Sequence, residues 1–495
     1  MGSNGSTDSN RVNQDTVAEQ SDAVTNFATP ICVDLDGSLV RSDTLFELFI
    51  VALLRAPFAT LRAVFVLLAN GKAAFKDHLS SFADIDCEKL PYREDLVDWL
   101  TVEKAKGRPL VLATASHHKI ADGVAEHLGI FDEVLASNAE HNLKGINKAN
   151  ILVERYGRGE FCYVGDHAAD IAVWNVAGSS VVAGASSKVR SKIDVPIEAQ
   201  FANRSVCLSF FKALRTYQWA KNLLIFVPVI TATAIFEVDA LLGALVAFIC
   251  FSITASGVYL VNDLTDLNSD RAHPEKRHRP FASGHLSLAW GLVLGPGMIV
   301  AGGMFAFVMD FWLGAVIFVY FIATTAYSFY LKTQPLVDVF TLAFLYSLRV
   351  FAGGVASGYM PSIWLLSFSG FLFLSLAFLK RYVEISERER QGKPADPRRG
   401  YLSAETLPLY TFGTSSAFAA VIVLSLYVEL SGTLSEFTRP DLIWAMVPLV
   451  LFWLLRLWLA AYRGYVHHDP IVYTAKDWVS RLVFIPAILI YVLSV

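Results

Sequence analysis

The sequence predicts a two-part protein: an N-terminal α/β domain followed by an all-α bundle of nine transmembrane helices. Three observations carry this. Of 495 residues, 54% are apolar and only 17% charged, with a mean hydropathy of +0.46, against about 25% charged in an ordinary soluble domain. Up to about residue 202 polar and apolar residues mix as in a globular domain, whereas from Leu208 onward long apolar runs dominate. In the first part, short apolar stretches end on acidic, hydroxyl or glycine residues, as strands of an α/β sheet do where they present chemistry.

Charge and cysteine usage exclude other classes. With 41 Lys and Arg against 45 Asp and Glu, there is no electrostatic footprint for nucleic acid. Cys32, Cys87, Cys162, Cys207 and Cys250 are scattered, without a CxxC or a zinc-like His spacing, so a disulfide framework and structural zinc drop out. Residues 1–27 are rich in Ser, Asn, Asp and Gln and lack an apolar core segment; they read as a disordered tail, not a signal peptide.

The α/β domain is expected over residues 28–200. Pro30-Ile-Cys-Val-Asp34-Leu-Asp36-Gly37 is a short apolar strand running into two aspartates and a glycine. Three further segments follow: Leu110-Val-Leu-Ala-Thr114-Ala-Ser116, Lys144-Gly-Ile-Asn-Lys148, and Phe161-Cys-Tyr-Val-Gly165-Asp166-His-Ala-Ala-Asp170. Together, in this order, they resemble the four motifs of the haloacid dehalogenase-like phosphohydrolases, which implies a Rossmann-like fold. The resemblance implies that Asp34 attacks phosphorus, that Asp36 acts as acid and then base, and that Thr114 and Lys148 hold phosphoryl oxygens. It also implies Mg²⁺ on Asp34 and Asp166, with Asp36 and Asp170 as further candidate ligands. Lys144 competes with Lys148 for the cationic role. An insertion over about 43–105 has the size of a cap; its apolar segment from Leu45 to Leu68 is broken by Arg55, Pro57 and Arg62, which favours an interfacial or cap helix over a span.

The membrane part is expected over 203–495, with spans at 219–236, 240–261, 287–308, 312–331, 336–356, 362–380, 409–428, 442–462 and 478–495. Each is near the ~20 residues needed to cross a bilayer. Arg271, Lys276, Arg277, Arg279, Lys332, the Arg381 to Arg399 cluster, Arg463 and Lys476 fall on one side, and Arg439 on the other. The positive-inside rule therefore places the N-terminal domain in the cytoplasm and the C-terminus outside the plasma membrane.

The second span runs into Asn262-Asp263-Leu-Thr-Asp266-Leu-Asn-Ser-Asp270-Arg271-Ala-His273-Pro-Glu-Lys276-Arg277-His-Arg279-Pro280. On a helix the three aspartates share one face; stacked carboxylates call for Mg²⁺, and the following cations for phosphate, so the pattern describes a diphosphate site. The motif resembles that of the UbiA-type intramembrane prenyltransferases. The longer string, with Lys221-Asn222 and Leu348-Arg349, resembles their branch that moves phosphoribose from 5-phosphoribosyl diphosphate (PRPP) to a polyprenyl phosphate. Where the resemblance to aromatic prenyltransferases implies a second aspartate-rich motif near the fifth span, this sequence keeps one acid, Asp338, beside Tyr327, Lys332 and Arg349. That cation-rich stretch suits an anionic acceptor, although Arg349 is also open to a role in an internal ion pair. The resemblance implies an enzyme that uses Mg²⁺, PRPP and polyprenyl phosphate. The alternatives are a prenyltransferase using a prenyl diphosphate and a lipophilic acceptor, or a transporter with a regulatory soluble domain.

Overall fold

The structure is a computed structural model and describes residues 29–137, 143–203, 205–394, 399–430, 437–467 and 470–495; the tail expected over 1–27 lies outside the described residues. The chain divides into two compact units. One comprises the described residues up to Ser38 with Glu94–Phe201, the other Leu39–Arg93 with Ala202–Val495.

The first unit is built on six parallel strands: β1 (Ile31–Val33), β2 (Leu110–His117), β3 (Glu133–Ser137), β4 (Cys162–Gly165), β5 (Ser179–Ala183) and β6 (Ile197–Phe201). Their order is β3-β2-β1-β4-β5-β6. β1 lies between β2 and β4, with Ile31 opposite both Leu110 and Cys162. Ile31, Cys32, Val33 and the β4 residues Cys162, Tyr163 and Val164 are fully buried, because a parallel sheet is covered on both faces and its strands read as apolar runs. The chain first builds outward from β1 to β3 and then returns to place β4 on the other side. This makes the gap between β1 and β4 the topological switch point, where the carboxyl ends of an open sheet form a crevice.

Among the described residues the second unit has seven helices long and apolar enough to cross a membrane: Val238–Thr265, Leu288–Met309, Phe311–Phe329, Val337–Ser357, Ile363–Arg390, Ser403–Leu430 and Pro440–Tyr462. Seven of the nine expected spans have such a helix; the two at the ends do not. The first expected span is a 3₁₀ run, Thr216–Phe226, followed by the short segments Val227–Thr231 and Ala234–Phe236. Left-handed backbone at Arg215 and Thr233 (φ 51° and 54°) bounds these segments, and such breaks within a bundle persist where polar side chains turn inward to partners. Here Trp219 donates to Ser256 Oγ (3.0 Å) and Asn222 to Ser252 Oγ (3.0 Å). The last expected span, Trp478–Ser494, is apolar but has 17 residues and contains Pro486, which gives it about 26 Å of rise against ~30 Å of hydrocarbon.

The insertion forms two helices, Thr44–Arg55, capped by Asp43 on Leu45 N (2.8 Å), and Pro57–Ser80, kinked at Gly71. The cap expected over 43–105 is split: residues through Arg93 pack in the membrane unit, and the Glu94–Ala105 helix in the sheet unit. The reason is apolar. Ile50 joins a buried cluster with Leu260, Leu264, Leu267, Phe281 and Leu286, all from the Val238–Thr265 helix and the segment after it. Phe58, Leu61, Phe65 and Leu68 stay exposed at helical spacing, the pattern expected of an interfacial helix. The strands entering and leaving the insertion pair with each other: Arg41 N donates to Pro91 O (3.0 Å) and Arg93 N to Leu39 O (2.9 Å).

Candidate active sites

In the sheet unit the switch point gathers the expected carboxylates. Asp34 follows β1, and Asp166 and Asp170 follow β4; each offers an oxygen, and the three lie within 4.8 Å of one another. Lys148, on the first turn of the Ile146–Tyr156 helix, donates to Asp34 Oδ1 (2.6 Å) and to Tyr163 OH (2.9 Å). Tyr163 donates in turn to Asp170 Oδ1 (2.9 Å), whose Oδ2 accepts from the backbone N–H groups of Asp166 and His167. Lys144 is exposed, so the geometry puts Lys148 in the centre. Gly37 has φ +81°, and a Cβ there would meet Asp166 Oδ2 at 2.3 Å; only glycine lets the turn after Asp36 pass so close to that carboxylate.

The electrostatics follow from burial. Loss of hydration pushes the Asp34 carboxyl up to about 7, against the pull of the Lys148 ammonium, and burial next to Asp170 raises the Tyr163 phenol. Three acids with one ammonium leave an excess of negative charge on hard oxygen donors, which fits Mg²⁺. Asp36 lies outside this convergent group: its Oδ2 accepts from Ser116 Oγ. Thr114 is fully buried and its hydroxyl accepts from Ser116 N (3.0 Å).

The membrane unit arranges its acids differently. The second span ends at Asp266, and a separate short helix, Leu267–Arg271, follows, so the three aspartates do not ride one continuous helix. Asp263 and Asp270 are buried and joined by Arg279, whose Nη1 lies 3.2 Å from Asp263 Oδ1 and 2.6 Å from Asp270 Oδ2. Arg215, stacked on Tyr259, also pairs with Asp263. Burial raises the Asp270 carboxyl, and Arg279 opposes that. Asp266 is half-buried at the break, and Asn262 donates to Ser328 Oγ (2.9 Å). Among the described residues Asp34, Asp166 and Asp170 alone bring three such ligand atoms within reach of one metal ion; Asp263, Asp266 and Asp270 do not converge in that way. Lys276 and Arg277 occupy a 3₁₀ turn, Lys276 half-buried and Arg277 exposed.

Arg271, expected to bind substrate, is engaged elsewhere: its guanidinium forks onto Glu47 (2.6 and 3.1 Å) and its Nε donates to Ala282 O (3.0 Å). Asp338 is fully buried and held by Arg381 Nε (2.5 Å) and Tyr401 OH (2.5 Å). Arg381 also reaches Glu384 and the Tyr327 hydroxyl (2.8 Å). Asp338 and Tyr327 therefore belong to an internal network. Lys332 is half-buried in the turn Leu331–Thr333.

Arg349 is 5% exposed, and among the described residues no carboxylate pairs with it. It donates to Asn222 Oδ1 (2.8 Å), to Leu345 O and to Tyr320 OH (3.4 Å), and lies over the rings of Tyr320 and Tyr346. The Lys221 ammonium lies 5.8 Å from the Tyr346 ring centroid. The internal-ion-pair reading of Arg349 fails on this geometry; the side chain is a buried positive charge among neutral groups.

Sequence reasoning missed Arg215, Glu47, Tyr163, Arg381 and Tyr401. Tyr163 had a signal, a phenol inside a buried strand that must find a partner. Arg381 had one too, as a cation at the end of the sixth span. Glu47 had none.

Residues 31–174 match the haloacid dehalogenase-like hydrolases, and residues 223–476 match the UbiA prenyltransferase family. The uncharacterized protein y4nM of Sinorhizobium fredii is 35% identical over 91% of this chain and 88% of its own length. The nodulation protein NoeC of Azorhizobium caulinodans is 33% identical over 56% of this chain and 90% of its own. The decaprenyl-phosphate phosphoribosyltransferase of Mycolicibacterium smegmatis is 31% identical over 57% of this chain and 91% of its own.

Proposed function

Since this chain belongs to the UbiA prenyltransferase family and carries a haloacid dehalogenase-like domain ahead of it, we propose a bifunctional enzyme of polyprenyl-phosphate metabolism. Its membrane unit transfers 5-phosphoribosyl from PRPP to a polyprenyl phosphate, and its sheet unit, on the cytoplasmic side, removes a phosphate from the product. The observation that carries the transfer half is Arg349. A buried guanidinium with neutral partners is costly, and an anionic acceptor supplies the missing charge, whereas a neutral aromatic acceptor does not. The phosphoribosyltransferase name of the M. smegmatis relative points the same way.

In transfer, the bond from ribose C1 to the diphosphate oxygen breaks as an oxygen of the acceptor phosphate bonds to C1. The diphosphate leaves with the electron pair, and the acceptor is already ionised, so no general base is needed and positioning dominates. Asp263, Asp266 and Asp270 would hold Mg²⁺, which neutralises the leaving group. Arg215 and Arg279, now paired with Asp263 and Asp270, exchange those carboxylates for the diphosphate, with Lys276 and Arg277 at its outer end. Lys221 and Arg349 hold the acceptor phosphate.

In hydrolysis, an Asp34 oxygen bonds to phosphorus as the ester P–O bond breaks, and Asp36 protonates the leaving oxygen. Asp36 then takes a proton from water, whose oxygen attacks phosphorus, releasing phosphate and restoring Asp34. Ser116 orients Asp36, and Lys148 and Thr114 steady the phosphoryl oxygens; Mg²⁺ on Asp34, Asp166 and Asp170 would neutralise them.

The test offers the purified full chain PRPP with polyprenyl phosphate in one vessel and prenyl diphosphate with an aromatic acid in another. Ribosylated lipid in the first alone supports the proposal. Product only in the second assigns the enzyme to prenyl transfer.

A further inference from the structure

Resting on the transferase reading above, we propose that Glu47 is a positioning residue of the transfer centre, although it lies in the sequence between the first two phosphohydrolase motifs. Its carboxylate takes both terminal nitrogens of Arg271, at 3.1 and 2.6 Å, and the two side chains are 4% and 7% exposed. The remaining nitrogen of Arg271 donates to Ala282 O. One guanidinium therefore closes the segment 271–282 across its base and anchors it to the Thr44–Arg55 helix. That segment carries Lys276, Arg277 and Arg279, and begins one residue after Asp270.

Two further contacts join the chain just before the insertion to the residues just after that segment. Arg41 Nη1 lies 3.3 Å from the His285 ring nitrogens. Gly284 has φ +69° and passes so close that a Cβ there would sit 2.6 Å from Arg41 Cβ. Beneath them Ile50 packs with Leu264, Leu267, Phe281 and Leu286. The apolar cluster supplies adhesion without direction, while a buried bidentate pair fixes register and is a poor device for stability alone. Glu47 therefore sets the angle at which Arg279 meets Asp263 and Asp270. The insertion thus serves the transferase centre.

The experiment compares the full-length protein with Glu47→Gln, which keeps shape and removes charge, and Glu47→Asp, which keeps charge and shortens the reach. In Glu47→Gln, amide hydrogen exchange across 267–286 should accelerate about tenfold, with exchange over 338–385 unchanged. The PRPP KM should rise about tenfold while the polyprenyl phosphate KM and hydrolysis of a small phosphate ester stay at wild-type values. Glu47→Asp should show the same pattern at smaller amplitude, and it decides the question if Glu47→Gln does not fold. Unchanged exchange over 267–286, or acceleration spread across the whole bundle, overturns the positioning role. Absence of transfer from PRPP by the wild-type chain would instead overturn the transferase reading, and the exchange comparison still decides Glu47.

Discussion

The two polar centres of this chain are built from the same residue types with opposite charge balance. In the sheet unit three carboxylates converge, one of them paired with the Lys148 ammonium, so that acids outnumber the base. In the membrane unit two buried carboxylates, Asp263 and Asp270, are shared between two guanidiniums, and Arg349 adds a positive charge that no carboxylate pairs with among the described residues. Both centres are largely buried, with Asp34, Lys148 and Asp170 under 10% exposed in the first and Asp263 and Asp270 under 5% in the second, so each excess charge is one that a bound ion of the opposite sign would relieve. On the proposed function the first centre takes a cation and a phosphate monoester. On the same proposal the second exchanges its internal ion pairs for those of a cation and a diphosphate.

The sharpest way to break this comparison is to remove one centre at a time. Asp34→Asn should lower ester hydrolysis by at least about 10³-fold and leave transfer intact, and Asp263→Asn should do the reverse; assays of both activities on each folded variant check this. Loss of both activities together would mean the centres are not separate. A smaller effect is expected at Asp338, which the structure gives to Arg381 and Tyr401. Asp338→Asn takes from the buried Arg381 one of its two carboxylate partners and leaves Glu384, so it should cost about 2 kcal/mol of stability, the worth of a hydrogen bond to a charged group, read as a lowered unfolding midpoint in detergent, with little change in either KM. Next, Arg349→Gln should raise the acceptor KM by roughly 10- to 150-fold, the worth of a charge-assisted contact, while the PRPP KM stays near wild type. The smallest change should come from Arg277→Gln, which removes an exposed charge: a PRPP KM raised by roughly twofold to fivefold, weakening further at high salt.

The sheet centre was largely legible because its chemistry lies at strand ends, where a short apolar run names both the element and the position of the next residue. Asp34, Lys148, Asp166 and Asp170 meet as their order along the chain implies. The membrane centre was legible in residue type and less so in arrangement. Periodicity put Asp263, Asp266 and Asp270 on one helix, but the helix breaks at Asp266 and Arg279 folds back between the other two. Apolar length likewise read 219–236 as a span, whereas Trp219 and Asn222 turn to Ser256 and Ser252 and the backbone follows them. Contacts at long sequence distance, Glu47 with Arg271 and Tyr401 with Asp338, leave no local signal; Glu47 and Tyr401 alone read as an ordinary charge and an ordinary aromatic, and Arg271 and Asp338 as substrate-site residues.

The central claim is that two separate centres on one chain act in sequence on one lipid, the second having a raised local concentration because it is tethered. The most direct measurement incubates the intact protein and Asp34→Asn with PRPP and polyprenyl phosphate and follows the lipid products by mass. The account predicts that Asp34→Asn accumulates the phosphorylated ribosyl lipid and that the intact protein yields the dephosphorylated one. Identical product profiles, from an intact protein shown to hydrolyse another phosphate ester, would contradict it.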